Sequence, residues 1–224
     1  MYTYLLIDLG SFIIPFIFSF HKRLQFYRHF KSFIIACLLV GIPFIIWDIV
    51  FTENGIWGFN SKYLIGVDFF GVPLEEYLFF ICIPFACVFT YFSLEIVWPL
   101  KEVFYAKFIS IFLAMILMVI ALFFHEKLYT FITFSALSLL LIFSYKWKKI
   151  TLFYRSFIII VIPFFIVNGI LTGTGLDGEV VWYNELHNLN IRMGTIPVED
   201  VFYAMLMLLP TIIIFDRLRR LRGV

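Results

Sequence analysis

Two acidic motifs, 124 residues apart, carry the strongest chemical signal in the sequence. Pro73–Glu76 and Pro197–Asp200 each consist of a proline, an apolar residue and two acids, and each opens a long apolar segment. Carboxyl groups crowded together in apolar surroundings favour the neutral form of one member, which can then donate a proton. The side chains that could do this chemistry are Glu75, Glu76, Glu199 and Asp200.

The composition places these acids in a membrane protein. Of the 224 residues, 63% are hydrophobic and 14% are charged, whereas a soluble domain carries roughly a quarter charged residues and about half apolar ones. This composition excludes a soluble enzyme, a secreted disulfide scaffold and a disordered chain. We predict an all-α polytopic protein with seven transmembrane helices, of which the fifth and sixth are the shortest. The segments are Tyr2–Phe20, Ser32–Phe51, Pro73–Glu95, Val103–Phe124, Thr130–Tyr145, Ser156–Leu171 and Pro197–Phe215.

The basic residues are divided unequally between the two sides of the predicted bundle. Of the 17 lysines and arginines, all but Lys62, Lys127 and Arg192 fall in the first, third and fifth loops or in the C-terminal tail. Cytoplasmic loops are enriched in lysine and arginine. We therefore expect a multi-pass protein of the cell (inner) membrane, with its N-terminus outside and its C-terminus in the cytoplasm.

A shift of 124 residues aligns the two ends of the chain without a gap. Ser32–Ile35 falls on Ser156–Ile159, and the acidic motifs coincide. The match predicts two parallel three-helix repeats, residues 1–100 and 126–224, joined by a linker helix at residues 101–125. A single linking span gives both repeats the same orientation, so that a pseudo-two-fold axis along the membrane normal relates them. The acids then lie at the outer ends of the third and seventh spans.

Two interpretations of the acids stay open at this stage. Proline and acidic residues also suit the first turn of a helix, where the acids complement the helix dipole. Adjacent side chains on a helix point about 100° apart, so Glu75 and Glu76 have different roles, whereas Glu75 and Glu199 can face each other across the axis. We predict one site formed by the four acids, with Glu75 or Glu199 as the proton donor.

Other polar and aromatic residues lie near the motifs. Asp48, late in the second span, either bonds to a neighbouring helix or takes part in the chemistry. Asn60 and Asn184 precede the motifs in matching loops, and either orient the acids or form turns. Aromatic faces can stabilise a passing carbocation. The best-placed rings, just after the acids, belong to Tyr77, Phe79, Phe202 and Tyr203.

The sequence does not predict a metal site or a bound cofactor. The four histidines are scattered, and the three cysteines lie in apolar runs without zinc-ligand spacing. Gly173–Gly178 matches the GxGxxG pattern, but it follows a membrane span and lacks the strand and helix of a dinucleotide-binding unit. We predict no metal, no cofactor and no nucleic-acid partner.

Both repeats resemble the halves of a known enzyme family, the small membrane-embedded lycopene cyclases. That family occurs as two subunits, as one fused chain, or fused to phytoene synthase, and this sequence resembles the single fused form. The second acidic motif ends Glu-Asp rather than Glu-Glu, which keeps the charge but shortens the reach. The resemblance is carried by Phe59, Asn60, Tyr63 and Pro73–Phe80 in the first half, and by Tyr183, Asn184, Arg192 and Thr195–Tyr203 in the second.

The resemblance implies a lycopene β-cyclase, an isomerase of carotenoid biosynthesis that forms the β-rings of γ- and β-carotene without net redox change. It implies lycopene and the lipid bilayer as binding partners, together with other enzymes of the carotenoid pathway. It makes Tyr183, Arg192 and the two asparagines candidates for substrate binding, to which we add Asp48 on its position late in the second span. Unrelated lycopene cyclases use a flavin, so a redox-neutral flavin requirement stays open, as does the number of substrate ends that are cyclised.

Two rival classes share parts of this architecture. Sugar carriers with parallel repeats also have three, one and three spans, so a transporter of a small solute is the alternative function. Their Pro-Gln dipeptide is absent here, because the only glutamine is Gln25. A retinal receptor would need a lysine in its last span, and Pro197–Phe215 contains none.

We predict that reporter fusions after Lys31 and after Asp68 report opposite sides of the membrane, with the first one cytoplasmic. The reason is the unequal division of basic residues between the loops. Reporters that are active on only one side of the membrane test this directly. If both positions report the same side, the number of spans is wrong.

Overall fold

Seven α-helices make up most of the chain that the computed structural model describes, residues 2–99, 103 and 105–222. Lys101 and the predicted boundary after residue 100 lie outside the described residues. The helices are α1 (Thr3–Phe18), α2 (Phe30–Glu53), α3 (Leu74–Val97), α4 (Tyr105–Phe123), α5 (Leu128–Ser144), α6 (Ile150–Leu171) and α7 (Val198–Leu221).

The lengths and surfaces of these helices are those of a membrane protein. Five of them (α2, α3, α4, α6 and α7) are long and apolar enough to cross the hydrocarbon core. The other two, α1 and α5, are apolar but have only 16 and 17 residues. Large apolar side chains such as Ile14, Phe112 and Ile166 are exposed on the outside of the bundle, where lipid rather than water would stabilise them.

Two helices extend further than the apolar pattern predicts. The first residue of α6 is Ile150, and α7 continues to Leu221. A charged residue flanks each predicted segment, and each one has a partner in the folded chain. Asp216, just after the predicted seventh segment, forms an ion pair with Arg219, and Arg155, just before the predicted sixth segment, donates to the carbonyl of Leu94 at 3.1 Å. Such contacts lower the cost of a charge near the apolar bundle, so α6 and α7 continue through these residues.

Helices α3 and α7 lie at the centre of the bundle. α1 packs against α3 and α5 packs against α7, while α2 contacts both central helices. α6 packs mainly on α3, and α4 packs on α5. The apolar core between them includes the buried rings of Phe85, Phe134, Phe153 and Phe215. The first turns of the two central helices, which carry the acidic motifs, therefore lie inside the bundle.

At one end of the bundle, here called the loop end, two long loops join through a short β-ladder. The strands of these loops are β1 (Trp57–Phe59), β2 (Asp68–Phe69), β3 (Val72–Pro73), β4 (Val181–Tyr183), β5 (Arg192–Met193) and β6 (Ile196–Pro197). β1 pairs antiparallel with β4, and Gly58 lies opposite Trp182 at the centre of the ladder. The first loop then forms a hairpin of β2 and β3 that leads into α3, and the second forms a hairpin of β5 and β6 that leads into α7.

Equivalent hydrogen bonds occur in the two loops at a spacing of 124 residues. The amide of Leu74 donates to the carbonyl of Val67, and the amide of Val198 donates to the carbonyl of Ile191, both at 2.9 Å. Similarly, the amide of Asn60 donates across to the other loop at 2.9 Å, and the amide of Asn184 donates back at the same distance. The two loops thus hold the starts of α3 and α7 in the same way.

We predict that Gly58→Ala destabilises the loop end. A Cβ placed at Gly58 would lie 2.3 Å from the Trp182 ring, and overpacking of this kind costs about 1–3 kcal/mol. Thermal unfolding of the purified protein should show a lower Tm. In a Trp182→Ala background the same substitution should have little effect, because the clashing ring is gone. Equal losses of Tm in both backgrounds would contradict this explanation.

Candidate active site

A cavity of about 390 Å³ runs into the bundle from the loop end. Apolar side chains of α1, α3, α6 and α7 form most of its wall. Along α3 the lining extends from Glu76 to Thr90, which is roughly 20 Å at about 1.5 Å per residue. The polar and aromatic groups at the loop end of the cavity are Tyr4, Asp48, Trp57, Glu76, Tyr129, Asn168, Tyr183, Asp200 and Tyr203.

The cavity also reaches the outer surface of the bundle, on the side of α1 and α6. Gly10 and Ile14 of α1 and Pro163 of α6 line the cavity and are exposed. A Cβ at Gly10 would meet no atom within 4 Å, so this part of the wall is open. In a membrane this surface faces lipid, and an apolar molecule dissolved in the bilayer could enter the cavity from the side.

Asp200 carries the most hydrogen bonds of the carboxyl groups in the cavity. Its Oδ1 accepts from the Tyr129 hydroxyl at 2.6 Å, and its Oδ2 accepts from the Asn168 amide at 2.7 Å and the Tyr183 hydroxyl at 2.9 Å. Three donors on one carboxylate stabilise its ionised form. Burial raises the pKa of the Tyr183 phenol, and the Asp200 charge raises it further, so that this tyrosine stays neutral and remains a donor.

Glu76 and Asp48 line the same cavity with fewer partners. Glu76 Oε2 accepts a hydrogen bond from the Tyr4 hydroxyl. Asp48 Oδ1 accepts from the Trp57 indole at 2.6 Å, and its Oδ2 has no partner among the described residues. The described lining also includes no lysine or arginine. Because uncompensated carboxylates repel each other in apolar surroundings, the ionisation of one disfavours the ionisation of the others.

Glu75 and Glu199, the first acids of the two motifs, bind the preceding loops and do not line the cavity. Glu75 Oε1 accepts from the amide of Ile65 at 2.7 Å, and Glu199 Oε1 accepts from the amide of Leu189 at 2.7 Å. Both acids are fully buried. Adjacent helical side chains point about 100° apart, so in each motif the first acid faces the loop and the second faces the cavity. Of the four predicted acids, the cavity therefore brings together Glu76 and Asp200.

Three of the predicted aromatic residues also line the cavity. These are Phe79, Tyr183 and Tyr203. The Tyr203 ring lies 6.0 Å from that of Trp57 and 6.2 Å from that of Tyr129, in edge-to-face contacts. The acids at the loop end are thus surrounded by aromatic faces.

Two predicted aromatic residues and the predicted arginine lie away from the cavity lining. The Tyr77 hydroxyl donates to the carbonyl of Phe69 at 2.8 Å, on the loop. The Phe202 ring packs against Phe134 at 5.0 Å. Arg192 donates to a backbone carbonyl of its own hairpin at 2.7 Å and pairs with loop carboxylates.

The two asparagines form turns. Asn60 Oδ1 accepts from the amide of Lys62 at 3.1 Å, and Asn184 Oδ1 accepts from the amide of Leu186 at 3.1 Å. This is the Asx-turn geometry that asparagine favours in loops. Neither side chain lines the cavity; both turns lie in the loops whose amides bind Glu75 and Glu199.

Four of the hydrogen-bonding side chains at the loop end of the cavity were not identified from the sequence: Tyr4, Trp57, Tyr129 and Asn168. The sequence could have indicated Asn168, because an amide inside an apolar span needs a hydrogen-bond partner. Asp200 is that partner. Tyr4 and Tyr129 lie near the beginnings of α1 and α5, where an interfacial tyrosine is ordinary. Their hydrogen bonds to acids on other helices depend on packing that the sequence does not specify.

The fold and cavity are those of a membrane protein with a buried site of carboxyl and aromatic groups that opens on the apolar outer surface of the bundle. A family model described as lycopene cyclase matches residues 1–94 and 126–218. The chain belongs to the lycopene cyclase family, whose members are enzymes of carotenoid cyclisation. Comparisons with curated proteins and with solved structures return no match, and the transporter alternative has no support from them.

Proposed function

We propose that the protein is a lycopene β-cyclase that isomerises the ψ-ends of lycopene to β-rings by proton transfer within the cavity. The observation that carries this proposal is the position of Glu76 and Asp200, two acids with different hydrogen-bond environments on one apolar wall. Family membership supplies the substrate class. The reaction is redox-neutral, because each ring gains one proton and loses one.

In the proposed reaction Glu76 is the acid. Its proton adds to C2 of the terminal C1=C2 double bond, which leaves a cation at C1. The C5=C6 π electrons then form the C1–C6 bond, and the positive charge moves to C5. Glu76 suits this role because its one hydrogen bond comes from Tyr4 and it shares the cavity with Asp48 and Asp200. The neighbouring carboxyl groups favour a neutral Glu76, and one donated hydrogen bond stabilises its ionised form less than three donors stabilise that of Asp200.

In the same reaction Asp200 balances the cation and acts as the base. Loss of the C6 proton to Asp200 forms the C5=C6 bond of the β-ring and completes the isomerisation. The three donors on Asp200 favour an ionised group at the start of the reaction. Release of this proton from Asp200 to solvent at the loop end, and uptake of one proton from solvent by Glu76, would restore the starting state.

The aromatic wall has a separate role in this proposal. Trp57, Phe79 and Tyr203 line the cavity, and an aromatic face stabilises a cation close to it by about 0.5–2 kcal/mol. Apolar walls also exclude water, which would otherwise capture the carbocation as an alcohol. The carbocation then reacts mainly by losing its C6 proton, which gives the β-ring.

We further propose that the chain is built from two equivalent halves, residues 1–100 and 126–224, on either side of the linker α4. The shared hairpins, the loop hydrogen bonds spaced by 124 residues and the two matched segments support this division. On the charge pattern, the loop end faces the outside of the cell membrane and all seven helices span it. The site would then lie near the outer face.

We predict that Glu76→Gln and Asp200→Asn each lower cyclisation by about 10²–10⁴-fold, the usual contribution of an acid or base. The test is pigment analysis in lycopene-accumulating bacteria, at matched protein levels in the membrane. The exposed Glu126→Gln is the control for loss of a carboxylate. Glu75→Gln and Glu199→Gln should retain most activity, because the amide oxygen can still accept from the loop.

Two results would contradict this assignment. Full activity of both Glu76→Gln and Asp200→Asn would remove the proposed acid and base. Loss of activity in Glu75→Gln and Glu199→Gln alone, with normal folding, would move the proton donor to the first acid of each motif.

A further inference from the structure

We propose that the protein has a single ring-forming chamber, so that the two ends of a symmetric substrate are cyclised in separate binding events. This inference rests on the proposed cyclase function. Two equivalent halves could in principle form two chambers, one for each end of a long polyene. The side chains at equivalent positions argue against that arrangement, because one chamber is open and the other is filled.

The lipid-facing wall is the first point of difference. Gly10 of α1 leaves open space beside the cavity, with no atom within 4 Å of a Cβ placed there. The residue 124 positions later is Phe134 of α5, whose side chain is only 1% exposed and packs against Phe202 at 5.0 Å. Where the first half has an opening, the second half has a buried aromatic ring.

At the polar end, too, one chamber is open and its equivalent is filled. Asn168 of α6 lines the cavity and donates to Asp200. The residue 124 positions earlier is Phe44 of α2, which is buried and packs edge-on against Tyr203 at 5.1 Å. In the equivalent chamber, the Phe44 ring therefore fills the space that would correspond to the position of the Asn168 amide in the open chamber.

Asp48, the third carboxyl group of the cavity, also occurs in one half only. Asp48 lines the cavity, whereas Thr172, its equivalent, bonds through its hydroxyl to Thr195 at 2.7 Å and to the carbonyl of Asn168 at 2.8 Å. Glu76 and Asp200, one from each half, both line this same cavity. Both halves thus supply acids to one chamber, and duplication of the fold does not duplicate the site.

A single chamber has a direct kinetic consequence. Each binding event adds one proton at C2 and removes one from C6 at the end held in the chamber, and the other end stays linear. The monocyclic carotene must then leave the chamber, or turn end for end in the bilayer, before its second ψ-end can enter. It is therefore a released intermediate, and the bicyclic product forms from it by a second binding event.

The first test follows the products in time, with purified protein in lipid vesicles and a large excess of lycopene. We expect only the monocyclic product at the earliest times, with the bicyclic product delayed or absent. Bicyclic product that forms from the first time point, at a constant ratio to monocyclic product, would overturn the single chamber. Vesicles that form no ring at all would instead refute the proposed function on which the inference rests.

The second test blocks the open wall. Gly10→Phe copies the aromatic residue of the filled half, and should slow ring formation from lycopene and from the monocyclic carotene by the same factor, about tenfold or more. Leu6→Phe is the matched control, because Leu6 is 65% exposed on the same helix and does not line the cavity. It should leave both rates unchanged.

Folding is checked by gel filtration and Tm, and Gly10→Leu provides a second, smaller block if Gly10→Phe does not fold. A variant that loses one of the two reactions and keeps the other at full rate would show that the two rings form at different places. That result would overturn the proposal.

Discussion

Carboxyl groups in an apolar cavity without a compensating cation place the main constraint on this structure. Asp48, Glu76 and Asp200 share one cavity, and the described lining holds no lysine or arginine. Burying an ionised carboxylate is costly unless hydrogen bonds or counter-charges replace the lost water. The hydrogen bonds that replace this water differ in number, since Asp200 accepts from three donors and Glu76 from one. In the proposed reaction, this difference in hydrogen bonding is what allows two similar groups to act as acid and base.

The rest of the loop end holds this unequal pair in position. Each acidic motif uses its first acid to bind a loop amide and its second to face the cavity. The β1–β4 ladder joins the two loops, so that the starts of α3 and α7 are held relative to each other. Positive charges pair with carboxylates outside the cavity lining: Lys149 and Arg219 with Glu95 at the opposite end of the bundle, and Arg192 with carboxylates of the loop end. This separation keeps cations away from the cavity.

Much of this organisation follows from local sequence, but the cavity does not. The apolar runs correspond to the seven helices, and the acidic motifs do begin α3 and α7, because hydropathy and first-turn chemistry are local properties. The sequence could not predict which of Glu75 and Glu76 faces the cavity, since this depends on how α3 is rotated against α1. Likewise, Tyr4 and Tyr129 bind acids on other helices, and only the packing of those helices brings them together.

The most direct test of the account is the source of the proton that begins ring closure. Protein in lipid vesicles would be equilibrated in D₂O, supplied with lycopene, and the products analysed by mass spectrometry and NMR. The account predicts one deuteron in each new ring, at C2, in a product otherwise isomeric with lycopene, because the proposed acid exchanges its proton with solvent. Rings that form without deuterium at C2 would contradict proton transfer from a carboxyl group of the cavity.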